Sequence, residues 1–397
     1  MMRKLTVLLA GVLALSAIST PAIADRSWQE ITAPQPDAHT MGPSCAGGLK
    51  FDEVADTVVP TDPQFSFFFR EGDPRRLAIF FDGGGACWDV NTCIGSPQSG
   101  SSTYSQAVDE TAAGLDALPG LAAIRDDNPI RDYTQVFIPY CTGDLHTGAN
   151  DFAYVEGVPK IRHRGAINVR FVLDWLSQHL DAEPYEIFLS GASAGGYGVL
   201  YHYPAIAKRV PWYARTRVLV DAANGVINQD FYDRALAPEG AWNVWENLAP
   251  ELQAAFASDP DEITIETFKS LAYAYPFARF GQYTTAFDAT QIAFFNIARN
   301  IESPELWQNP EELAAAAFEW TLRARTYQIL TALQTWNYRY YTAAGTDHTI
   351  VGDDKFYTEN SAQGVFFRDW VDDMINRRWL WWNNDWRNVS CAPNCLQ

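Results

Sequence analysis

Along the chain, short β-branched or aromatic runs end in Gly, Asp or Ser, and segments with apolar residues at helical spacing lie between them. Leu77–Phe81 runs into Asp82-Gly83-Gly84-Gly85, Gln135–Tyr140 into Cys141-Thr142-Gly143-Asp144, Glu186–Leu189 into Ser190-Gly191, and Arg217–Val220 into Asp221. Phe280–Thr285 and Tyr338–Thr342 follow. Unbroken apolar runs of this kind predict strands buried on both faces of a mostly parallel sheet. Ala166, Val169, Val172, Leu173, Leu176 and Leu180 recur at helical spacing before the Glu186 run. Asn309-Pro310-Glu311-Glu312 predicts a helix start, Asn as cap and Pro in the first turn, for a helix running to about Gln334. Residues 226–276 read as a helical insertion, with Asn247–Ala257 and Ile263–Ala274 as its helices. No repeat or low-complexity linker interrupts the pattern. It predicts an α/β fold, one domain with an inserted cap.

The first residues change the picture by setting a compartment. Arg3 and Lys4 precede an apolar run from Leu5 to Ile18, and Ala22-Ile23-Ala24 is a small-residue cleavage signal. Residues 1–24 are expected to be a secretory signal peptide, with an apolar stretch too short for a membrane anchor. An exported chain is free to form disulfides. Of its six cysteines, Cys87/Cys93 and Cys391/Cys395 are close enough to close short loops, which leaves Cys45 with Cys141. Neither short pair has the two-residue spacing of a structural zinc site, so no metal is expected.

Composition narrows the partners. Apolar residues make up 47% and charged residues 19% of 397, which excludes wholesale disorder. The net charge of −19 argues against nucleic acid and against an anionic membrane surface. Aromatic residues, at 14%, exceed the needs of an ordinary core. Trp379, Trp381, Trp382 and Trp386 could stack on a sugar, although packing against a sheet edge is the more common use of such rings. Asn388-Val389-Ser390 is a glycosylation sequon, meaningful only in a eukaryotic secretory host.

The chemistry gathers at Gly191-Ala192-Ser193-Ala194-Gly195. This G-x-S-x-G pentapeptide follows a strand and precedes a helix expected from Gly196 to about Lys208. Such a crossing forces the central residue into a tight turn, and small neighbours relieve the crowding around an exposed Ser193 hydroxyl. Gly83-Gly84-Gly85 ends an earlier strand, so the N–H groups of Gly84 or Gly85 could join that of Ala194 as oxyanion donors. A phosphate-cradling role lacks the following Gly-Lys-Ser/Thr. Of six histidines, only His348 lies late in the chain, after the last strand, where a general base for Ser193 belongs. Asp144 and His146 could line the pocket or sit in a solvated loop, and His163, at a helix start, reads as structural. For the acid, Asp221 and Asp288 both stand at strand ends and spacing leaves them level. Asp347 adjoins the base, and neighbouring side chains in an extended loop diverge.

These residues carry a resemblance. Asp82-Gly83-Gly84-Gly85-Ala86-Cys87 with Cys93, Pro139-Tyr140-Cys141, Ser190-Gly191-Ala192-Ser193-Ala194-Gly195-Gly196 and Ala286-Phe287-Asp288-Ala289-Thr290-Gln291-Ile292 resemble, in this order, segments of the pectin acetylesterase and Notum family of serine carboxylesterases. The resemblance spans roughly Cys45 to His348. It implies an α/β-hydrolase fold and no cofactor. It also implies a Ser193–Asp288–His348 triad, oxyanion donors at Gly84, Gly85 and Ala194, and disulfides Cys45–Cys141 and Cys87–Cys93. It decides the acid for Asp288 and makes Asp221 structural. Trp88 after the Cys, the loop Thr142-Gly143-Asp144-Leu145-His146, and a His348 without a preceding Cys depart from the family pattern. The substrate therefore does not follow from the resemblance. The expected function is an exported serine O-deacylase, acting on an ester that could belong to an acylated polysaccharide. A polyester depolymerase or lipase shares the mechanism, and a non-catalytic carbohydrate-binding protein on a hydrolase fold is the reading from a different class.

Overall fold

The computed structural model describes residues 26–35, 41–52, 57–376 and 386–396. Residues 1–24, expected from the sequence to be a signal peptide, and Trp379, Trp381 and Trp382 lie outside these residues.

The eight strands of the central sheet are β1 (Gln29–Thr32), β2 (Ser66–Arg70), β3 (Asp73–Phe81), β4 (Tyr133–Ile138), β5 (Glu186–Ala192), β6 (Arg215–Asp221), β7 (Arg279–Thr285) and β8 (Tyr338–Ala343). They lie in the order β1-β2-β4-β3-β5-β6-β7-β8. Pairing is parallel from β4 through β8, while β2 runs antiparallel to both β4 and β1. The six runs read from the sequence are the six parallel strands. Their unbroken apolar character has a direct cause. Leu77, Ile79, Phe81, Ile187, Leu189, Val218 and Val220 pack on one face of the sheet. Alternating with them, Ala78, Phe80, Phe188 and Leu219 pack on the other. The architecture is that of an α/β hydrolase, a mostly parallel sheet flanked by helices.

On the first face lie α1 (Gly165–His179) and α2 (Ala194–Ala207), with buried Val169, Val172, Leu173 and Leu176 of α1 and Val199, Leu200 and Ile206 of α2. Between β6 and β7 the chain forms α3 (Pro250–Phe256) and α4 (Ile263–Ala274), preceded by short turns at Gln229–Leu236 and Val244–Asn247. The first helix of this insertion is shorter than its sequence pattern, because Pro250 fixes its first turn. Then come α5 (Ala289–Arg299), α6 (Pro310–Gln334) and, covering the second face, α7 (Phe367–Asn376). Asn309 caps α6 as its sequence predicts, accepting from the N–H groups of Glu311 and Glu312. Trp370, Val371 and Met374 of α7 are fully buried. Trp386 is buried beside the guanidinium groups of Arg279 and Arg339 rather than offered to a sugar.

Disulfides join Cys45 to Cys141, Cys87 to Cys93 and Cys391 to Cys395. The first closes 96 residues of sequence and ties the N-terminal segment to the end of β4. Among the described residues, no helix is long and apolar enough to cross a membrane.

Candidate active site

The carboxyl ends of β3, β5, β6, β7 and β8 converge at one edge of the sheet. Ser193 sits where β5 turns into α2, with φ 52° and ψ −120°. A non-glycine residue there is strained, and strain of this kind persists only where its surroundings hold it. They do so closely. The Ser193 N–H donates to the Asp221 carbonyl at 2.8 Å, and the Gly196 N–H donates to the Ser193 carbonyl at 2.9 Å. A Cβ on Gly195 would lie 2.0 Å from the Phe81 carbonyl, so only glycine lets the elbow pack against the end of β3. Although Ser193 holds the N-cap position of α2, its hydroxyl does not cap the helix.

Gly83-Gly84-Gly85 passes beside the elbow. A Cβ on Gly83 would lie 3.0 Å from that of Ser193. Gly84 and Gly85 have φ of 146° and 77°. The N–H groups of Gly84, Gly85 and Ala194 have no acceptor among the described residues. Free N–H groups next to a serine hydroxyl are what an oxyanion requires.

Asp288 ends the turn after β7 and caps α5. Its carboxylate is fully buried and holds two partners. The Gln291 N–H donates to Oδ1 at 2.9 Å and the Gln291 Nε2 amide to Oδ2 at 2.8 Å. Nδ1 of His348 lies 2.9 Å from both carboxylate oxygens. A carboxylate at a helix N-terminus is favoured as the anion, and an anion only accepts. The His348 proton therefore sits on Nδ1, leaving the lone pair on Nε2. That Nε2 is buried and has no hydrogen-bond partner among the described residues. Ser193 and His348 both line one cavity.

Asp221, at the end of β6, makes no such contact. Its Oδ2 accepts from the backbone N–H groups of Ile350 and Val351 at 2.8 and 2.9 Å, while Oδ1 is buried without a partner among the described residues. Burial pushes this carboxyl up to about 7, against the pull of the two N–H donors. The side chain of Asp347 turns away to pair with Lys355.

The loop 142–146 is neither solvated nor open. Asp144 is fully buried and accepts from the Thr142 hydroxyl and from the N–H groups of His146, Gly148 and Gly165. Burial raises its carboxyl to about 6 despite these donors. Leu145 and His146 both adopt positive φ, 56° and 62°, and Leu145 reaches the cavity while His146 is buried. Nε2 of His146 lies 2.9 Å from the Asp82 carbonyl, which can only accept, so the ring donates to the residue preceding the glycines. Burial pulls His146 down to about 4, so the ring stays neutral. Nδ1 of His163 contacts the Thr142 carbonyl and Nε2 the Tyr154 hydroxyl, a structural role. His163 also lies near Cys87 and Cys93, but those sulfurs are bonded to each other.

The cavity encloses about 1190 Å³ of atom-free space, its open mouth included. Its wall is mostly apolar and includes the rings of Trp88, Tyr197, Phe231, Phe294, Phe295 and Trp320. The segment between β6 and β7 contributes Val226, Phe231, Leu236, Phe256 and Ile263 to it. Sequence reasoning missed this wall, since residues from eight segments meet there only in the fold. It also missed Gln291, although a capping pattern pointed to it. Asp288 is a cap, and Gln291 stands at the third helical position, where an amide reaches back to the cap.

The family model described as Pectinacetylesterase matches residues 63–235. Pectin acetylesterase 11 of Arabidopsis thaliana is 24% identical over 345 residues, covering 80% of this chain and 83% of that protein. Residues 63–235 thus carry a pectinacetylesterase domain, and the chain is similar to carboxylic ester hydrolases of the pectin acetylesterase and Notum kind. The palmitoleoyl-protein carboxylesterase NOTUM of Schmidtea mediterranea is 26% identical over 160 residues, 40% of this chain. Notum1a of Danio rerio, also a palmitoleoyl-protein carboxylesterase, is 28% identical over 186 residues. The matches to these two cover only 29% and 34% of their own lengths. Among solved structures, the Wnt deacylase Notum from Drosophila superposes with a TM-score of 0.56 at 15% identity, over 88% of this chain and 93% of that one. At that identity the superposition carries the fold and nothing finer.

Proposed function

We propose that the chain is an exported serine ester hydrolase that works through an acyl-enzyme, with Ser193, His348 and Asp288 as its triad. Nε2 of His348 takes the Ser193 proton as Oγ bonds to the ester carbonyl carbon, and the carbonyl electrons move onto oxygen. The N–H groups of Gly84, Gly85 and Ala194 receive that oxyanion. Collapse expels the alcohol, which takes the proton from His348, and water then hydrolyses the acyl-enzyme by the same route. Asp288 holds the imidazole in the required tautomer and stabilises the imidazolium. The observation that carries this reading is the bare Nε2 of His348, its ring fixed by Asp288, in the cavity that Ser193 shares. Export rests on the leader pattern of residues 1–24, and the three disulfides fit it.

The apolar wall favours an acyl group longer than acetyl, which an acetyl group would leave mostly unfilled. Each methylene buried in such a wall contributes about 0.8 kcal/mol, or about fourfold in kcat/KM. A panel of aryl esters from acetyl to long acyl is expected to show kcat/KM climbing with chain length. A maximum at acetyl, with acetylated polysaccharide as the best substrate, would contradict the acyl assignment and leave the triad standing. Ser193→Ala is expected to reduce turnover by several orders of magnitude with an unchanged melting temperature. A fully active purified variant would remove the triad reading itself.

A further inference from the structure

The loop carrying His348 is held from two sides. On its upstream side three contacts come from the segment that carries Asp288, and the Gly345 N–H donates to the Cys395 carbonyl at 3.0 Å. The Phe287 N–H donates to the Gly345 carbonyl, the Ala289 N–H to that of Thr346, and the Thr285 hydroxyl to that of Asp347 at 2.6 Å. These bonds fix the base relative to its acid. On the downstream side, Oδ2 of Asp221 accepts from Ile350 and Val351, two and three residues beyond His348. Asp221 ends β6, two strands away from β8, so its carboxylate reaches past the end of β7 to grip the loop, where the Val351 carbonyl also accepts the Leu121 N–H at 2.7 Å. The backbone of the same residue accepts the Ser193 N–H at 2.8 Å. Asp221 is paired with Ala192 across the β5–β6 ladder and is fully buried. One residue thus touches the elbow with its main chain and the base loop with its side chain.

We infer that Asp221 is a positioning residue that sets the separation of Ser193 and His348, as the upstream contacts set that of His348 and Asp288. This rests on the triad reading above. What the carboxyl supplies is acceptor geometry, a single oxygen shared by two N–H groups. An amide oxygen can do the same, whereas an alkyl side chain cannot.

The test measures the rate of covalent labelling by a fluorophosphonate, alongside kcat, KM and the downfield NMR resonance of the His348 Nδ1 proton. Asp221→Ala is expected to slow labelling and kcat by about 10²-fold, the scale of a misplacement of about an ångström, with KM little changed. The Nδ1 resonance should survive, since the Asp288 contact is held from the other side. Asp221→Asn should label within a few-fold of the parent. Asp221→Leu, closer to the carboxyl in shape, serves if the alanine cavity prevents folding. If neither folds, the asparagine variant decides alone, fast labelling supporting the inference and slow labelling overturning it. A folded alanine or leucine variant that labels at the parent rate would overturn it, as would loss of the Nδ1 resonance together with activity. Ser193→Ala, run in parallel, separates the two ideas. Undiminished labelling there would bring down the triad reading and this inference together, whereas normal labelling of Asp221→Ala beside an inert Ser193→Ala overturns the positioning role alone.

Discussion

The ends of β6 and β7 each carry a fully buried aspartate, one strand apart in the same sheet. Asp288 lies at the N-terminus of α5, takes two hydrogen bonds from Gln291 and meets an imidazole. Asp221 has no helix behind it, keeps one oxygen without a partner and meets two peptide N–H groups. Spacing along the chain makes the two equivalent, and their surroundings make them different. A carboxylate held by a helix terminus and an amide is placed to balance an imidazolium. One buried with half its acceptor capacity unused is driven toward its protonated form and serves as a fixed point for backbone.

The largest expected difference between the two is kinetic. Asp288→Asn should lower kcat by up to about 10⁴-fold while KM and the fold are preserved, because an amide can leave the imidazole in the wrong tautomer. Equal losses in the asparagine variants of both residues would erase the distinction drawn above. Next comes the support of the acid. Gln291→Leu removes the donor to Oδ2 of Asp288, and kcat should fall about tenfold, the scale of one hydrogen bond. An unchanged kcat would mean that the helix terminus suffices. The smallest effect is on stability. With its carboxyl raised to about 7, Asp221 binds a proton more tightly in the folded than in the unfolded chain. The stability linked to that proton is complete below the unfolded value and is lost as pH rises through about 7. The groups facing Asp221 are Tyr283 from β7, Asp288 at the start of α5 and His348 from the loop after β8. Since the asparagine variant has no such proton, its melting temperature relative to the parent should climb between about pH 5 and about pH 8. A flat difference would contradict the raised value.

Much of this arrangement was legible in the sequence where one local rule governs. The six parallel strands were visible because both of their faces are buried, so that apolar residues run on without a gap. Gln29–Thr32 was not, being a short exposed edge strand with no alternation to read. Ser66–Arg70 was missed although it is buried throughout, since its five residues have no turn signal to frame them. The elbow was legible because close backbone contacts at Gly191 and Gly195 leave a fixed pattern of small residues. The loop at Asp144 and His146 was not. Its polar residues suit solvent equally well, and only the fold brings the Gly148 and Gly165 N–H groups to the Asp144 carboxyl. Asp221 and Asp288 could be told apart only through resemblance, because what separates them is a helix start and a loop arriving from a distant strand.

The acyl-enzyme on Ser193 is the central claim, and trapping it is the direct measurement. The protein would be mixed with an activated long-chain acyl ester, quenched in acid within the first turnover, digested and weighed peptide by peptide. The account predicts one added acyl mass on the peptide containing Ser193, absent from Ser193→Ala and accumulating before the steady state. Steady turnover of the same ester with no acylated peptide, or with the acyl group on another residue, would contradict it.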